Sequence, residues 1–158
     1  MRFSAMIMIA ATVLVAACTS DGTTSSKNGA PIDARLVAVA QARIVRPGDA
    51  LVLLDVSVRS NLPETVSTAV CAETVEAKTV SGGTWTDVTA TSVACISIAA
   101  ILAPGASMTV SASADPAKIQ AVRGLNREVL LRVRHSFVSS TSNTRYVLQS
   151  NEVTVTMN

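Results

Sequence analysis

The chain has a single histidine among its 158 residues, and that scarcity limits the chemistry that it can carry. The usual zinc and copper sites draw on several histidines, so His135 alone cannot build one. The sequence also lacks a Gly-x-Ser-x-Gly elbow, a glycine-rich phosphate loop and a His-x-x-x-His pair. We therefore predict no metal site and no cofactor.

Two arrangements of residues in this sequence could support catalysis without a metal, and both are weakly indicated. One is a triad of His135 with a serine and either Asp55 or Asp87. The other is a carboxylate pair drawn from those aspartates, Glu73 and Glu76, although the two glutamates fall on opposite faces of a strand. Serine is abundant in β proteins as a surface residue, and we predict that the protein is not an enzyme.

The chain has little net charge, with 13 lysines and arginines against 11 acidic residues. A balance this even produces no global field that would hold nucleic acid, so we predict no nucleic-acid partner.

Arginines are nevertheless concentrated in the last third of the sequence. One interpretation is a basic binding face for acidic polysaccharide, lipid headgroups or a partner protein. The other, which the residues favour, is a solvated strand face whose arginines pair with Glu128 and Glu152 across neighbouring strands. The arginines of this possible binding face are Arg123, Arg127, Arg132, Arg134 and Arg145.

No apolar run is long enough to cross a membrane. The longest extends from Met6 to Ala17, interrupted only by Thr12, and as a helix it would measure about 18 Å against a hydrocarbon core of about 30 Å. A charged start at Arg2, an apolar middle and small residues at the exit are typical of a secretory signal peptide.

The exit of this run, Leu14-Val15-Ala16-Ala17-Cys18, resembles the lipobox of bacterial lipoproteins. Leucine is commoner than valine at the position of Val15, and Leu14 keeps the site apolar. The resemblance implies that the Cys18 thiol receives a diacylglycerol, that a signal peptidase cuts before it, and that its amine is acylated, for example with palmitate. Two or three chains anchor stably, since each buried CH₂ contributes about 0.8 kcal/mol.

The resemblance also implies a location. Thr19 follows the cysteine where an aspartate would favour retention at the inner membrane, so we expect an outer-membrane lipoprotein facing the periplasm or the cell surface. In a bacterium with one membrane, the anchor would place the domain on the outer face of the cell. Residues 19 to 30 are all small or polar, which predicts a flexible tether of roughly 20 Å. The predicted divisions are signal peptide 1–17, lipidated cysteine and linker 18–31, and folded domain 32–158.

The domain has a β composition, rich in Val, Thr, Ser and Ala. Two-residue alternation predicts strands over 50–59 and 107–114 and at the end of the chain, and turn residues delimit further strands. Asp115 and Pro116 predict the start of one short helix that Gly124 ends. About seven strands with one helical turn indicate an all-β, antiparallel sandwich. Trp85, beside Gly82-Gly83, is either an exposed binding aromatic or a buried tryptophan of the sandwich, and we expect it to be buried.

Several stretches of the domain resemble the immunoglobulin-like domains that bacterial lipoproteins carry. The resemblance covers most of residues 31–158 and implies a fold with no assigned chemistry. The stretches are Gly83-Thr84-Trp85, Cys95, Leu102-Ala103-Pro104-Gly105, Val129 to Arg134 and Ser150 to Val155.

With Cys18 committed to lipid, Cys71 and Cys95 remain as an even pair. Oxidising compartments favour a disulfide between such cysteines, which we predict here with a stabilisation of about 3.5 kcal/mol. A redox-active pair would need a Cys-x-x-Cys spacing that the sequence lacks.

Together these features predict a lipid-anchored envelope protein whose domain binds a partner or serves as a structural component. Its partners would be the membrane, through the anchor, and an envelope protein or polysaccharide. The alternatives are a peptidase inhibitor that presents a loop such as Ser60 to Thr68 and, less favoured, a hydrolase.

Overall fold

Two β-sheets and one short helix make up the residues that the structure, a computed structural model, describes: 32–44, 52–69, 73–91 and 99–157. Within these ranges the elements are β1 (Leu36–Ile44), β2 (Val52–Ser60), β3 (Val66–Ala69), β4 (Thr74–Thr79), β5 (Gly82–Asp87), β6 (Ala99–Leu102), β7 (Ser107–Ala114), α1 (Pro116–Arg123), β8 (Glu128–Ser139), β9 (Arg145–Gln149) and β10 (Val153–Thr156). The predicted all-β, antiparallel, two-sheet architecture is confirmed.

The smaller sheet has the strand order β1-β2-β7 and follows the predicted alternation closely. In β2, Val52, Leu54, Val56 and Val58 are all buried, while the residues between them face outward or are half-buried. The same period buries the alternate residues of the second half of β7. One face of this sheet therefore supplies half of the core, and the other carries mostly hydroxyl and charged side chains.

The larger sheet is organised around β8, which is twelve residues long. β4 and β3 pair along one edge of β8, and β10 and β9 pair along the other, all antiparallel. β5 extends the sheet beyond β4, and β6 extends it beyond β3. Val129, Leu131, Val133 and Phe137 of β8 face the core with no exposed surface.

The strand count differs from the prediction, since ten strands lie in the described residues and about seven were expected. Residues 65–80 contain both β3 and β4, which pair with different parts of β8. β9 was not predicted because Val147 and Leu148 are both buried, so its sequence lacks the alternation of a strand with one wet face.

The helix lies where its capping residues predicted. The Asp115 side chain accepts a hydrogen bond of 2.8 Å from the Ala117 amide, and Pro116 occupies the first turn. Gly124 has a φ of 59°, a conformation that favours glycine, and its amide bonds to the Gln120 carbonyl. Ile119 is fully buried, so α1 packs against the core.

One side chain links the first strand to the larger sheet. The Asn151 Oδ1 atom accepts a hydrogen bond of 2.7 Å from the Ala40 amide, and its Nδ2 atom donates one of 3.3 Å to the Ala40 carbonyl. The amide of Asn151 therefore occupies the place that a backbone peptide of a neighbouring strand would take beside β1.

Candidate binding site

A group of charged residues around one tryptophan lies on the outer face of the larger sheet. We call Glu76, Lys78, Trp85, Arg132 and Arg134 the arginine–tryptophan cluster. Glu76 and Arg132 are direct cross-strand neighbours on β4 and β8. The Nε and Nη2 atoms of Arg132 each lie 2.8 Å from Glu76 Oε2, so the guanidinium forms a two-pronged ion pair with one oxygen.

Cations stack on the tryptophan of this cluster. The Arg132 guanidinium carbon lies 4.0 Å from the centroid of the Trp85 ring, and Lys78 Nζ lies 4.5 Å from it. Both distances are within the range of a cation–π attraction. Trp85 is half-buried on the outer face, so the prediction of a buried core tryptophan was wrong. The cations cover part of its apolar surface there.

The cluster corrects the expectation of a solvated basic strand face. The side chains of Arg132 and Arg134 are only 5% and 8% exposed. Arg132 pairs with Glu76, whereas Glu152 pairs with Lys78 at 3.1 Å. The burial is tolerable because a carboxylate and an aromatic ring replace the water around the guanidinium.

The other three arginines of the predicted face are not brought to this cluster. Arg123 donates from Nη1 to the Met157 carbonyl at 2.6 Å, and Arg127 is exposed just before β8 begins. Arg145 is exposed opposite Val138, near the other end of β8. Arg127 and Arg145 are therefore roughly 35 Å apart along the strand at about 3.4 Å per residue, too far for one small ligand.

Sequence reasoning missed Glu76 and Gln149 as members of this region. The signal available for Glu76 was a two-residue period shared by two strands. Glu76 and Lys78 flank Ala77 on one strand, and Arg132 and Arg134 flank Val133 on the other. Opposite charges at the same period on two strands favour cross-strand pairing. Gln149 is the direct neighbour of Arg134 on β9, and no local pattern indicates this.

His135 faces the interior. Its Nε2 atom lies 2.6 Å from Thr68 Oγ1, its ring contacts Phe137 edge-on at 4.8 Å, and its Nδ1 atom lies 3.9 Å from Glu73 Oε1. The residue is 2% exposed. A histidine so enclosed is held by the hydrogen bond with Thr68 and the ring contact with Phe137 as part of the packed interior.

The carboxylates considered for catalysis are distributed over several surfaces. Asp55 accepts from Ser111 Oγ at 2.8 Å on the outer face of the smaller sheet. Asp87 lies opposite Glu76 on the outer face of the larger sheet and accepts hydrogen bonds from Thr89. Neither aspartate shares a sheet face with His135. Among the described residues, no group of three or more His, Cys, Asp and Glu side chains could hold a metal ion.

The loop considered for peptidase inhibition is tied to the domain. Ser60 ends β2 and residues 66–68 belong to β3, and Leu62 in the connection is buried. Glu64 accepts hydrogen bonds from the hydroxyls of Ser139 and Tyr146. The connection therefore lies against the domain, whereas an inhibitory loop would have to project from it.

These hydrogen bonds shift two titrations. The hydroxyls of Ser139, first, and Tyr146, second, hold the pKa of Glu64 below its usual value of 4.5. Donation to Glu64 in turn raises the pKa of Tyr146 above its usual 10.0, and desolvation adds to that rise. The hydrogen bond between Tyr146 and Glu64 therefore stabilises the fold fully at pH values between 4.5 and 10.0. Its contribution falls as pH drops through the lowered pKa of Glu64 or rises through the raised pKa of Tyr146.

We predict that Glu64→Gln lowers the pKa of Tyr146 towards its usual value, because an amide oxygen is a weaker acceptor than a carboxylate. Tyr146 is the only tyrosine, so the ultraviolet absorbance of the phenolate during an alkaline titration reports on it alone. The matched control is Glu152→Gln, because Glu152 is an exposed carboxylate that pairs with Lys78. An unchanged titration in Glu64→Gln would contradict the assignment.

An open groove of about 500 Å³ lies between β5 and α1. Its walls are Asp87 with the threonines and glycines of the β4–β5 hairpin on one side and Lys118, Ala121 and Val122 on the other. Lys118 already donates to the Thr89 carbonyl at 2.7 Å. The groove contains no cluster of reactive groups, and we assign it no chemistry.

Several predicted residues lie outside the described part of the chain. They are Cys18 and the signal cleavage motif Val15, Ala16 and Ala17, together with the predicted disulfide partners Cys71 and Cys95. In the described ranges, no helix is both long enough and apolar enough to span a membrane.

Comparisons with known proteins show similarity of fold only. No family model matches the sequence, and no curated protein matches it either. A structural genomics target called SoR45 has a TM-score of 0.54 at 8% identity, covering 80% of this chain and 90% of its own. A putative ApaA protein from Bordetella pertussis has a TM-score of 0.47 at 13% identity, with 77% and 93% covered. A protein from Archaeoglobus fulgidus has a TM-score of 0.44 at 9% identity, with 78% and 98% covered.

Proposed function

We propose that the chain is a lipid-anchored lipoprotein of the bacterial envelope whose β-sandwich is a non-enzymatic binding module. The observation that carries the binding role is the arginine–tryptophan cluster, in which two arginines lie almost buried on an outer sheet face. Burying guanidinium groups is expensive, and sites that recognise anions are one place where proteins bear that cost. The interior position of His135, away from Asp55 and Asp87, favours binding over catalysis.

The anchor is supported by the sequence that precedes the domain. An apolar run too short to span a bilayer ends in small residues and Cys18, and a polar tether follows. Such a tether would let the domain stand clear of the lipid headgroups. We place the protein at the outer membrane, or on the outer face of the cell where there is only one membrane.

We predict that Cys18→Ser abolishes incorporation of labelled palmitate and leaves the signal peptide uncleaved. Serine has no thiol to receive the diacylglycerol, so acylation and the cleavage that follows it both stop. The measurements are incorporation of labelled palmitate by cells expressing each form and the mass of the recovered chain. Cys71→Ser, which leaves the anchor intact, should still be cleaved and take up the label.

Incorporation of labelled palmitate by Cys18→Ser at the level of the unmodified chain would refute the anchor. The binding role is tested separately by cross-linking in intact envelopes, comparing Lys78→Gln in the cluster with Lys118→Gln on α1. We expect only the first substitution to reduce capture of an envelope component. Equal capture by both variants and the unmodified protein would refute a binding role for the cluster.

A further inference from the structure

One edge of the Arg134 guanidinium has donors without acceptors. Its Nε and Nη2 atoms are buried and have no hydrogen-bond partner among the described residues. Its Nη1 atom lies 3.7 Å from Glu76 Oε1, at the outer limit of an ion pair. Buried donors are almost always satisfied in native proteins, so this edge calls for an acceptor.

The geometry of the guanidinium indicates what kind of acceptor is needed. Glu76 contacts both Arg132 and Arg134, and its Oε2 atom lies 2.8 Å from the Nε and Nη2 atoms of Arg132. Arg134 is left with the longer contact, through Nη1 only. The Nε and Nη2 atoms of a guanidinium are parallel donors that match the two oxygens of a carboxylate.

A second unsatisfied group lies beside this edge. Gln149 is the direct cross-strand neighbour of Arg134, which places their Cβ atoms about 5 Å apart. Gln149 Oε1 is also buried, with no hydrogen-bond partner in the described ranges. Two donors and one acceptor thus lie next to each other on the same outer face.

We propose that the Nε–Nη2 edge of Arg134 binds a carboxylate while Gln149 Oε1 accepts a hydrogen bond from an adjacent hydroxyl, the combination that a uronic acid presents. The proposal rests on the binding role given above to the domain and, in the choice of a uronate, on the proposed envelope location. A uronate is preferred to a peptide carboxyl terminus because acidic polysaccharide is a component of the envelope in which we place the protein. Since the two donors are covered, the groups above them must part, and we expect slow association.

The test is titration of the purified full chain, in detergent, with sodium glucuronate, followed by calorimetry and by the NMR signals of the arginine Nε–H groups. Glucose, acetate and N-acetylglycine are the comparison ligands. We expect glucuronate to bind at least tenfold more tightly than acetate, glucose to show no binding, and one buried arginine Nε–H signal to shift.

Two variants separate the roles of the residues. Arg134→Lys keeps the charge but loses the parallel donors, so glucuronate should bind at least tenfold more weakly. Gln149→Leu should leave the acetate affinity unchanged and abolish the preference for glucuronate. Arg145→Lys, on the exposed start of β9, is the matched control and should bind as the unmodified chain does.

Several outcomes would overturn the proposal. One is glucuronate binding no better than glucose, and another is equal weakening by Arg134→Lys and Arg145→Lys, which would indicate a non-specific charge effect. Tighter binding of N-acetylglycine than of glucuronate would exclude a uronate and identify a peptide terminus. If Arg134→Lys does not fold, Gln149→Leu and the NMR titration of the unmodified chain decide the question. Failure here leaves the Cys18 result unaffected.

Discussion

Replacing Glu76 by glutamine is expected to lower the free energy of unfolding by about 3–5 kcal/mol, the usual cost of removing one partner from a buried ion pair. Glutamine has nearly the same shape, so the change isolates the charge. The loss is large because Arg132 and Arg134 depend on the same carboxylate and are 5% and 8% exposed. Urea-induced unfolding followed by the fluorescence of Trp85, the only tryptophan, measures it directly.

Glu152→Gln is the matched control for this experiment. Glu152 also forms an ion pair, with Lys78, but its side chain is 45% exposed, and such pairs contribute about 1 kcal/mol or less. A loss below about 1 kcal/mol in Glu76→Gln as well would mean that the arginines are compensated by something other than this carboxylate.

The second large effect is expected in the core. Phe137→Ala should cost about 3–5 kcal/mol, because Phe137 has no exposed surface and alanine would leave a cavity. Loss of the phenyl ring would also remove the edge-on contact with His135, which forms a hydrogen bond with Thr68. The same urea experiment measures the loss.

Phe137→Leu is the conservative comparison, and we expect a cost below about 1.5 kcal/mol because leucine fills most of the volume. Equal costs for Phe137→Ala and Phe137→Leu would show that the aromatic contact with His135, and not the filled volume, stabilises this part of the core.

The parts of the fold that the sequence predicted are those in which short-range rules are sufficient. The alternation of β2 predicted its buried face, and Asp115, Pro116 and Gly124 predicted both ends of α1. These signals are local because a strand's period and a helix's caps depend on neighbours in sequence.

The candidate site could not be predicted in the same way. Alternation separated Arg132 and Arg134 from the core-facing residues of β8, but it does not tell what covers the opposite face. The residue that covers Arg132 with its carboxylate, Glu76, is 56 positions away, and the one that contacts His135, Thr68, is 67 away. Only the pairing of β4 and β3 with β8 brings them together.

The position of Asn151 beside β1 has a consequence for self-association. An unprotected edge strand is a template on which another copy of the chain can add a strand. The exposed side chains of Val37 and Val39 would add apolar contacts to such a pairing. By occupying the amide and carbonyl of Ala40, the Asn151 side chain blocks the middle of this edge. A single asparagine thus obstructs strand addition at this edge, which would matter most if the proposed lipid anchor gathers many copies onto one surface.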